Sequence, residues 1–478
     1  MKLSSNIINY LSSIFGEEAA ARYDEFIRSE PQKFIRVNEL KTSSEKLKTI
    51  LKNNYGIHSE YVPDVPLALK ITEDSNALLG KTIEHISGLY YIQSLSSMLP
   101  PLILNPSDKE TVLDLCAAPG SKTTELGELM NNGGTLISNE IQNDRVRMLV
   151  YNVERMNLVN TGVIHSKGEL LSKIYADHFD KILVDAPCSG LGIIQKKGEI
   201  SNWWSKQRAE RLGELQLKLL IAAVKMVRQG GEIVYSTCTL TVEENEMVLD
   251  TVLRKYPVEI IDINLPFKAN DGIISYEGNL LNQELKKAKR ILPWEIGSEG
   301  FFLIKLKKTG ETIPPDPAAV RKKDIKFLSP GSKDLVKKLQ KISSIFGIST
   351  EVFQRYRYYF RKNDIFFTAG EWYDENPGLF ERIGLKLGTL DRNNEIVLHT
   401  NAAQILGNSI NKSIYYLENQ YELKTYLEGG TIKKDTGAYG QYVVKYNDLL
   451  LGTSIISKAG IKSRFPRSKR TQEIQKEF

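Results

Sequence analysis

The sequence predicts an α/β protein whose central region is built around a parallel β-sheet. Between about residues 111 and 306, short apolar runs alternate with longer helix-patterned segments, which is typical of a parallel sheet covered by helices. The chain has 478 residues, and single cores usually stop growing near ~250 residues, so several domains are expected. With 41% hydrophobic and 26% charged residues, the composition indicates packed cores throughout.

The region upstream of this sheet is predicted to be a small α+β domain over residues 1–85. Helix-patterned segments at 17–29 and 44–52 lie on either side of the short apolar stretch 34–37. The mixture of element types and their short lengths suit an accessory domain rather than the main core.

The central domain, residues 86–310, carries the parallel strands. The candidate strands are 111–115, 135–139, 161–165, 181–185 and 232–236, with 301–307 as a late edge strand. The candidate helices are 123–130, 144–156 and 206–228. We expect the last helix to end at Gly230-Gly231, because glycine readily closes a helix.

The region downstream begins with a predicted linker over residues 311–330. Pro314, Pro315 and Pro317 and the basic run 321–326 indicate it. Residues 331–400 are predicted to form a small mixed α/β module, starting with a helix at 333–346, and residues 401–478 a β-rich domain. Strand-like runs at 395–399, 441–446 and 449–455 support this division.

Composition and cysteine usage exclude several classes of protein. Three cysteines in this length do not make a disulfide scaffold, and their wide spacing does not match a zinc site, so no metal is expected. No run approaches ~18 uninterrupted apolar residues and the first residues lack a signal-peptide pattern, which favours a cytoplasmic protein without a membrane partner. We also expect a monomer. The net charge of +6 permits a polyanionic partner without requiring one.

The segment 112–130, VLDLCAAPGSKTTELGELM, has the pattern of a strand, a small-residue turn and a helix. Small residues let a ligand approach the backbone, and the first amides of a helix are free to bind it. Twenty residues after Gly120, Glu140 ends the next strand, where a carboxylate can accept both hydroxyls of a ribose. A cofactor site is predicted here, although an ordinary tight turn with a solvated Glu140 would give the same spacing. The turn lacks a dinucleotide fingerprint.

Two cysteines follow two neighbouring strands of the predicted sheet. Cys188 lies in DAPCSGLG after the apolar run 182–184, and Cys238 lies in YSTCTL after 232–234. Because ligands bind at the carboxyl ends of parallel strands, both thiols can face one cleft with the cofactor. A lone cysteine is more often a small buried hydrophobe. Two at equivalent strand ends, each flanked by small polar residues, favour chemistry instead, whereas Cys116 in the cofactor turn is expected to pack.

These motifs resemble those of the NOL/NOP/Sun family of RNA cytosine-C5 methyltransferases. The resemblance is carried by LCAAPGSKT at 115–123, DAPCSG at 185–190 and YSTCT at 235–239, and it extends from IRVNELKTS at 35–43 to EGFFLIKL at 299–306. It implies a Rossmann-like class I methyltransferase core. Beyond residue 320, YLEGGTI at 426–432 and the stretch 440–470 are similar to the PUA-like RNA-binding region of bacterial members that methylate 16S rRNA.

The resemblance assigns a role to each motif. Cys238 is the nucleophile, Cys188 promotes product release, and Asp185 contacts the target base and the surroundings of the cofactor. The implied cofactor is S-adenosyl-L-methionine, held by Cys116, Ala117, Ala118, Pro119, Gly120, Ser121, Lys122, Glu140 and Asp185.

The chemistry agrees with these roles. Cytosine C5 becomes nucleophilic only after a group adds to C6, and a thiolate is well suited to this attack. Asp185 can stabilise charge on the ring if it is protonated or shares a proton with N3, and burial would raise its pKa in that direction.

Two positions depart from the family pattern. Many relatives have an aspartate after the third strand, where it can contact adenine, but IHSKGE places Lys167 there. A lysine cannot accept the adenine amino proton. Trp294 stands where relatives often have histidine.

Two basic runs are candidates for RNA contact. Arg464, Arg467, Lys469 and Arg470 lie in a C-terminal stretch without acids, and RYRYYFRK at 355–362 interleaves basic and aromatic residues. Both suit phosphate binding and base stacking, although a solvated basic face or buried tyrosines would give the same pattern. The target cytosine is expected to be flipped out or looped.

The leading hypothesis is a methyltransferase acting on 16S rRNA or the small ribosomal subunit. A tRNA methyltransferase of the same mechanism remains open, as does a DNA methyltransferase, which would use Cys188 as its nucleophile. A non-catalytic RNA-binding assembly factor is the third alternative, which Lys167 favours and the intact thiols and Asp185 disfavour.

Overall fold

The computed structural model describes residues 3–74, 77–316 and 325–470, and this part of the chain forms five β-sheets. Within the predicted linker, Pro317 and residues 321–324 lie outside the described residues. Along the chain, the sheets have four, ten, two, four and five strands.

The N-terminal region is a small α+β domain, as predicted. Its antiparallel sheet has the order β2-β3-β1-β4. The first helix, α1, was not predicted; its buried side chains include Ile7, Tyr10 and Leu11, which pack against the central domain. The elements are α1 (Ser5–Phe15), α2 (Glu17–Phe26), β1 (Lys33–Val37), α3 (Ser44–Tyr55), β2 (His58–Tyr61), β3 (Ala68–Glu73), α4 (Ile83–Ile86) and β4 (Tyr90–Ile92).

The central domain is a Rossmann-like α/β fold. Its elements are α5 (Leu95–Leu104), β5 (Thr111–Asp114), α6 (Ser121–Leu129), β6 (Thr135–Glu140), α7 (Asn143–Met156), β7 (Thr161–His165), β8 (Phe179–Asp185), α8 (Ile200–Trp203), α9 (Lys206–Met226), β9 (Val227–Thr237), α10 (Glu246–Lys255), β10 (Val258–Ile261), β11 (Asn270–Asp271), β12 (Ser275–Tyr276), β13 (Asn279–Leu280), β14 (Lys289–Ile291), α11 (Pro293–Ile296) and β15 (Phe301–Lys308). Strands β7, β6, β5, β8 and β9 are neighbours in that order and all parallel. Their carboxyl ends therefore meet at one edge, which is where a ligand binds in such sheets.

Two sequence predictions about this sheet were wrong. The strand β15, expected at the edge, pairs with β9 on one side and with β14 and β10 beyond it, because the segment between α10 and β15 supplies further antiparallel strands. Helix α9 ends at Met226 rather than at Gly230-Gly231; those glycines lie within β9, where Gly230 has a φ of 80°.

The third region begins with a module that adds a strand to the central sheet. Its elements are α12 (Val336–Phe346), β16 (Tyr356–Arg361), β17 (Asp364–Ala369), β18 (Phe380–Ile383), β19 (Leu385–Leu390) and β20 (Ile396–Leu398). Strand β18 pairs antiparallel with β7 and so covers the edge of the central sheet. A Cβ atom on Gly162 of β7 would lie 2.5 Å from the Phe380 ring and 2.9 Å from the Trp372 ring. The module and the central domain therefore share one core.

The last region is strand-rich, as predicted. Its five-stranded sheet has the order β21-β23-β24-β25-β22. The elements are α13 (Thr400–Leu406), β21 (Ile414–Tyr416), α14 (Gln420–Leu427), β22 (Thr431–Ile432), β23 (Gly440–Tyr446), β24 (Leu449–Ser457) and β25 (Gly460–Ser463). Over the described ranges, no helix combines the length and the apolar character needed to cross a membrane.

Candidate active site

The predicted cofactor turn joins β5 to α6 at the carboxyl edge of the sheet. Gly120 precedes α6 with a φ of 109°, a left-handed conformation that favours glycine. A Cβ atom there would lie 3.1 Å from Leu149 Cδ1, so α7 packs closely against the turn. The side chain of Asn152 on α7 donates to Pro119 O at 2.9 Å, and Arg145 donates to Ala118 O. Helix α7 thus fixes the backbone of the turn.

Glu140 lies where the sequence predicted, at the end of the neighbouring strand β6. Its side chain is buried; Oε1 accepts from the Gln142 amide at 2.9 Å, and Oε2 lies 3.4 Å from Arg145 Nη1. Since Arg145 also contacts the turn, it ties the carboxylate to the turn. A buried carboxylate held in this way at a strand end is suited to accepting the hydroxyl groups of a ribose.

Asp114 supplies a polar atom that the protein leaves unpartnered in this turn. The carboxyl is fully buried, Oδ2 accepts from Thr123 Oγ1 at 2.6 Å, and Oδ1 has no hydrogen-bond partner among the described residues. Burial raises the pKa of Asp114 to about 7. An orphaned carboxyl oxygen at the turn fits a cofactor that carries a hydrogen-bond donor such as an amino group.

Asp185, at the end of β8, is held by two side chains. Oδ1 accepts from Ser236 Oγ at 2.8 Å, and Oδ2 lies 2.7 Å from Lys122 Nζ. Lys122 also donates to Ser97 Oγ at 3.0 Å, and it is buried rather than exposed as a lysine in a first helical turn usually is. Burial alone would lower the pKa of Lys122, but Asp185, through charge and hydrogen bonding, and Cys238 raise it. Sequence reasoning missed this ion pair.

The two predicted catalytic thiols are brought together. Cys188 follows β8 and Cys238 follows β9, and their Sγ atoms lie 3.1 Å apart with both cysteines unbridged. The hydrogen bond with Cys238 and burial raise the pKa of Cys188 well above its ordinary value. Cys188 therefore keeps its proton at neutral pH and can donate it toward the Cys238 sulfur. Burial likewise raises the pKa of Cys116, which agrees with a packing role.

Glu244 links the loops that carry the two thiols. Its carboxylate accepts from the Ser189 amide and hydroxyl, from Thr241 Oγ1 at 2.8 Å and from Gln216 Nε2 at 3.0 Å. Ser189 Oγ is also 3.0 Å from Thr239 Oγ1, the residue after Cys238. Ser189 follows Cys188, so this buried network fixes both loops. In the sequence, Glu244 stands out only as one of the acids of EENE, and sequence reasoning missed the network.

The candidate RNA-contacting residues differ in their exposure to solvent. Arg464, Arg467 and Arg470 are exposed, whereas Lys469 is 2% exposed and donates to Asn401 Oδ1 at 3.3 Å. Burial lowers the pKa of Lys469 to about 8. In RYRYYFRK, Tyr358 and Tyr359 are both buried, Tyr358 in the core of its own module and Tyr359 in the core shared with the central domain. Their predicted stacking on bases is not compatible with that position.

The remaining positions singled out in the sequence have simple surroundings. Lys167 is exposed after β7, and Trp294 packs on Tyr23 of α2 with ring centroids 5.8 Å apart. Over the described ranges, no group of three or more histidine, cysteine or acidic side chains is arranged to hold a metal ion.

Family models and related proteins match most of the chain. Residues 101–307 match the model described as 16S rRNA methyltransferase RsmB/F, and residues 3–95 match the N-terminal domain of 16S rRNA methyltransferase RsmF. The ribosomal RNA small subunit methyltransferase F of Shewanella piezotolerans is 30% identical over 91% of this chain and 90% of its own length. The chain belongs to the RsmF family of 16S rRNA methyltransferases.

Two further relatives match a smaller share of this RsmF-family chain. A tRNA (cytosine(49)-C(5))-methyltransferase of Pyrococcus abyssi is 35% identical over 57% of the chain and 87% of its own length. The solved structure of a methyltransferase homologue from Pyrococcus horikoshii is 31% identical, covers 64% of the chain and all of its own, and has a TM-score of 0.57. The methyltransferase fold predicted from the sequence is confirmed.

As an RsmF-family enzyme, the chain is an S-adenosyl-L-methionine-dependent methyltransferase, which confirms the predicted activity and cofactor. The cofactor supplies a methyl group on a positively charged sulfur. The turn at residues 116–122 and Glu140 offer the donors and acceptors that such a molecule needs.

Proposed function

We propose that the protein methylates C5 of a cytosine in 16S rRNA, with Cys238 as the covalent nucleophile. The observation that carries the proposal is the pair of thiols 3.1 Å apart beside the ion pair of Lys122 and Asp185. One sulfur can form a bond to the base while the S–H group of the other hydrogen-bonds to it, and the ion pair can stabilise the charge that develops on the ring.

In the first step, the Cys238 thiolate adds to C6 and forms a C6–S bond. The electron pair of the C5–C6 double bond moves into the ring, and N3 takes a proton from the pair of Lys122 and Asp185. This addition makes C5 nucleophilic. S-adenosyl-L-methionine, which residues 116–122 and Glu140 would hold, would supply the methyl group to C5 and leave as the neutral thioether once its methyl–sulfur bond has broken. Ser97 accepts a hydrogen bond from Lys122, and Ser236 donates one to Asp185, so both members of the pair are held in place for this proton transfer.

In the second step, the product leaves the enzyme. The C5 proton passes to solvent water, the C5–C6 double bond forms again and the C6–S bond breaks. N3 returns its proton to the pair of Lys122 and Asp185. The S–H group of Cys188, kept protonated by its raised pKa, hydrogen-bonds to the departing Cys238 sulfur and stabilises it.

The length of the matched region favours 16S rRNA over tRNA as the substrate. The archaeal tRNA relative matches 57% of the chain, whereas RsmF-type relatives match over 91% and more, including the strand-rich C-terminal region. We propose that this region and the exposed Arg464, Arg467 and Arg470 contact rRNA. We propose that the enzyme acts in the cytoplasm, as a monomer, on the small ribosomal subunit or its RNA.

Methyl transfer from labelled S-adenosyl-L-methionine to naked 16S rRNA, small subunits and tRNA tests the proposal. The Cys238→Ala variant is expected to transfer nothing, and the Cys188→Ala variant to accumulate a protein–RNA adduct that survives denaturing electrophoresis. Lys218→Ala, at an exposed residue of α9 outside the site, serves as the control and should retain activity. An adduct in Cys238→Ala would overturn the proposed mechanism. Methyl transfer to tRNA alone would overturn the proposed substrate.

A further inference from the structure

The loop that follows Cys188 ends in an aromatic and basic surface that the proposed chemistry does not use. Trp203, the last residue of α8, is 38% exposed, and the Arg208 guanidinium lies 4.1 Å from the centroid of its ring. The guanidinium lies over one face of the indole, and the exposed part of the Trp203 side chain is left for another aromatic group. Bases of single-stranded nucleic acid stack on such surfaces regardless of their identity.

A groove of about 440 Å³ runs along this surface. It is lined by Trp203, Ser205, Gln207, Arg208, Arg211 and Leu212. Helix α9 contributes four of these residues, and at about 100° per residue they occupy one arc of the helix. Glu210 and Glu214, the acids of the same helix segment, fall outside that arc and do not line the groove.

The charges in the groove are not neutralised. Arg208 and Arg211 are exposed and have no carboxylate partner among the described residues, whereas their neighbour Lys206 is paired with Glu277. The groove also adjoins the start of α9, a helix of 21 residues whose capping residue is Ser205. The positive end of a long helix adds to the attraction for phosphate.

The groove is anchored next to the catalytic thiols. Trp204, adjacent to Trp203, donates from Nε1 to Ser189 Oγ at 3.2 Å, and Ser189 follows Cys188 in the chain. Because α9 follows β8 in a parallel sheet, its first turns lie at the same edge as the carboxyl ends of β8 and β9. A strand of RNA whose cytosine enters the thiol site can therefore continue along this groove.

We propose that the groove of Trp203, Arg208 and Arg211 binds the single-stranded RNA next to the target cytosine. One flanking base stacks on the exposed part of the Trp203 ring, and the two arginines bind the phosphates on either side of it. This inference rests on the proposed RNA substrate and names the part of the substrate that the groove holds.

The test uses the full chain and a 12-nucleotide oligocytidylate RNA without added S-adenosyl-L-methionine. In Trp203→Ala, the loss of one base stack is expected to raise Kd roughly tenfold. In Arg208→Ala/Arg211→Ala, the loss of two phosphate contacts is expected to lower the slope of log K against log salt by roughly 1.4. The KM for 16S rRNA should rise in both variants while the KM for S-adenosyl-L-methionine stays unchanged.

Two control variants separate this groove from general effects. Trp203→Phe keeps a stacking ring and should bind nearly as well as the unaltered protein. Lys218→Ala removes an exposed charge two turns further along α9 and should leave both Kd and the salt slope unchanged. Equal binding by Trp203→Ala, or an equal loss in Lys218→Ala, would overturn the inference while leaving the proposed function intact. Failure of the unaltered protein to bind or methylate any RNA would overturn both.

Discussion

Lys122 Nζ and Asp185 Oδ2 lie 2.7 Å apart at the carboxyl edge of the central sheet, and the lysine is the more deeply buried partner. Asp185 stands at the end of β8 and Lys122 in the first turn of α6, so the pair bridges the cofactor turn and the thiol loops. A base that enters the site between the cofactor turn and the thiol loops therefore meets a fixed proton donor rather than a mobile surface charge.

Replacing Lys122 is therefore expected to remove a proton donor from the reacting ring. Lys122→Met should lower the rate of a single methyl-transfer turnover by roughly 10²–10⁴, the usual contribution of a positioned acid or base. Rapid-quench measurement with saturating RNA and cofactor checks this. Ser97→Ala removes only a neighbouring hydrogen bond, so its single-turnover rate should fall by much less. A comparable loss of rate in Ser97→Ala would argue for misfolding.

The free energy of unfolding should decrease as pH rises, because of the Asp114 carboxyl. Its pKa is raised to about 7 in the folded protein, so the folded state holds the proton more tightly than the unfolded state does. The resulting stabilisation is complete below about pH 4 and is lost as pH rises through 7.

Asp114→Asn should abolish this part of the pH dependence. The measurement is the free energy of unfolding in urea between pH 4 and pH 8.5, for the variant and the unaltered protein. As pH rises, the free energy of unfolding of the unaltered protein should fall relative to that of the Asp114→Asn variant. The control is Asp144→Asn, at an exposed carboxylate. If the free energies of unfolding of Asp114→Asn and of the unaltered protein change with pH in parallel, the buried carboxyl does not titrate in this range.

Glu244→Ala should loosen both thiol loops. The change leaves the Ser189 amide and buried hydroxyls without their acceptor, and each unsatisfied group costs about 1–3 kcal/mol. A lower melting temperature and slower adduct formation in a Cys188→Ala background are expected together. Glu214→Ala, at an exposed acid of α9, should change neither. Unchanged adduct kinetics in Glu244→Ala would show that the network does not position the thiols.

Arg36 is expected to be the most sensitive charge at the junction of the N-terminal and central domains. It is fully buried, donates to Glu128 at 2.9 and 3.1 Å, and donates to Ser121 O at 2.7 Å. Arg36→Met leaves buried carboxylates uncompensated and should destabilise the protein by about 3–5 kcal/mol, measured by urea unfolding. Arg36→Met/Glu128→Leu should recover part of the loss; no recovery would contradict an electrostatic cause.

Gly162 tests the contact between β7 and β18. A methyl group there would meet Phe380 at 2.5 Å and Trp372 at 2.9 Å, so Gly162→Ala is expected to destabilise the fold by about 1–3 kcal/mol. The control is Gly331→Ala, where nothing lies within 4 Å. Thermal unfolding of the two variants gives the comparison, and equal melting temperatures would show that the strand contact yields easily.

The parallel strands and the approach of the two thiols were predictable, because apolar runs mark buried strands and parallel strands end at a common edge. The burial of Lys122 was not, since a lysine in a first helical turn is normally solvated and only the long-range partner Asp185 changes that. The same limit explains β18: its pairing with β7 joins residues more than 200 positions apart, and no local pattern in Phe380–Ile383 identifies the partner.

The strand β18 gives the chain an order of assembly. A growing polypeptide that has reached residue 310 already contains Asp185, Cys188 and Cys238, but its sheet still ends at β7 with an open row of backbone amides and carbonyls. An open strand edge invites pairing with other chains. The edge is covered only once residues 380–383 have been made, so the enzyme completes its catalytic domain with a segment translated long after the active site.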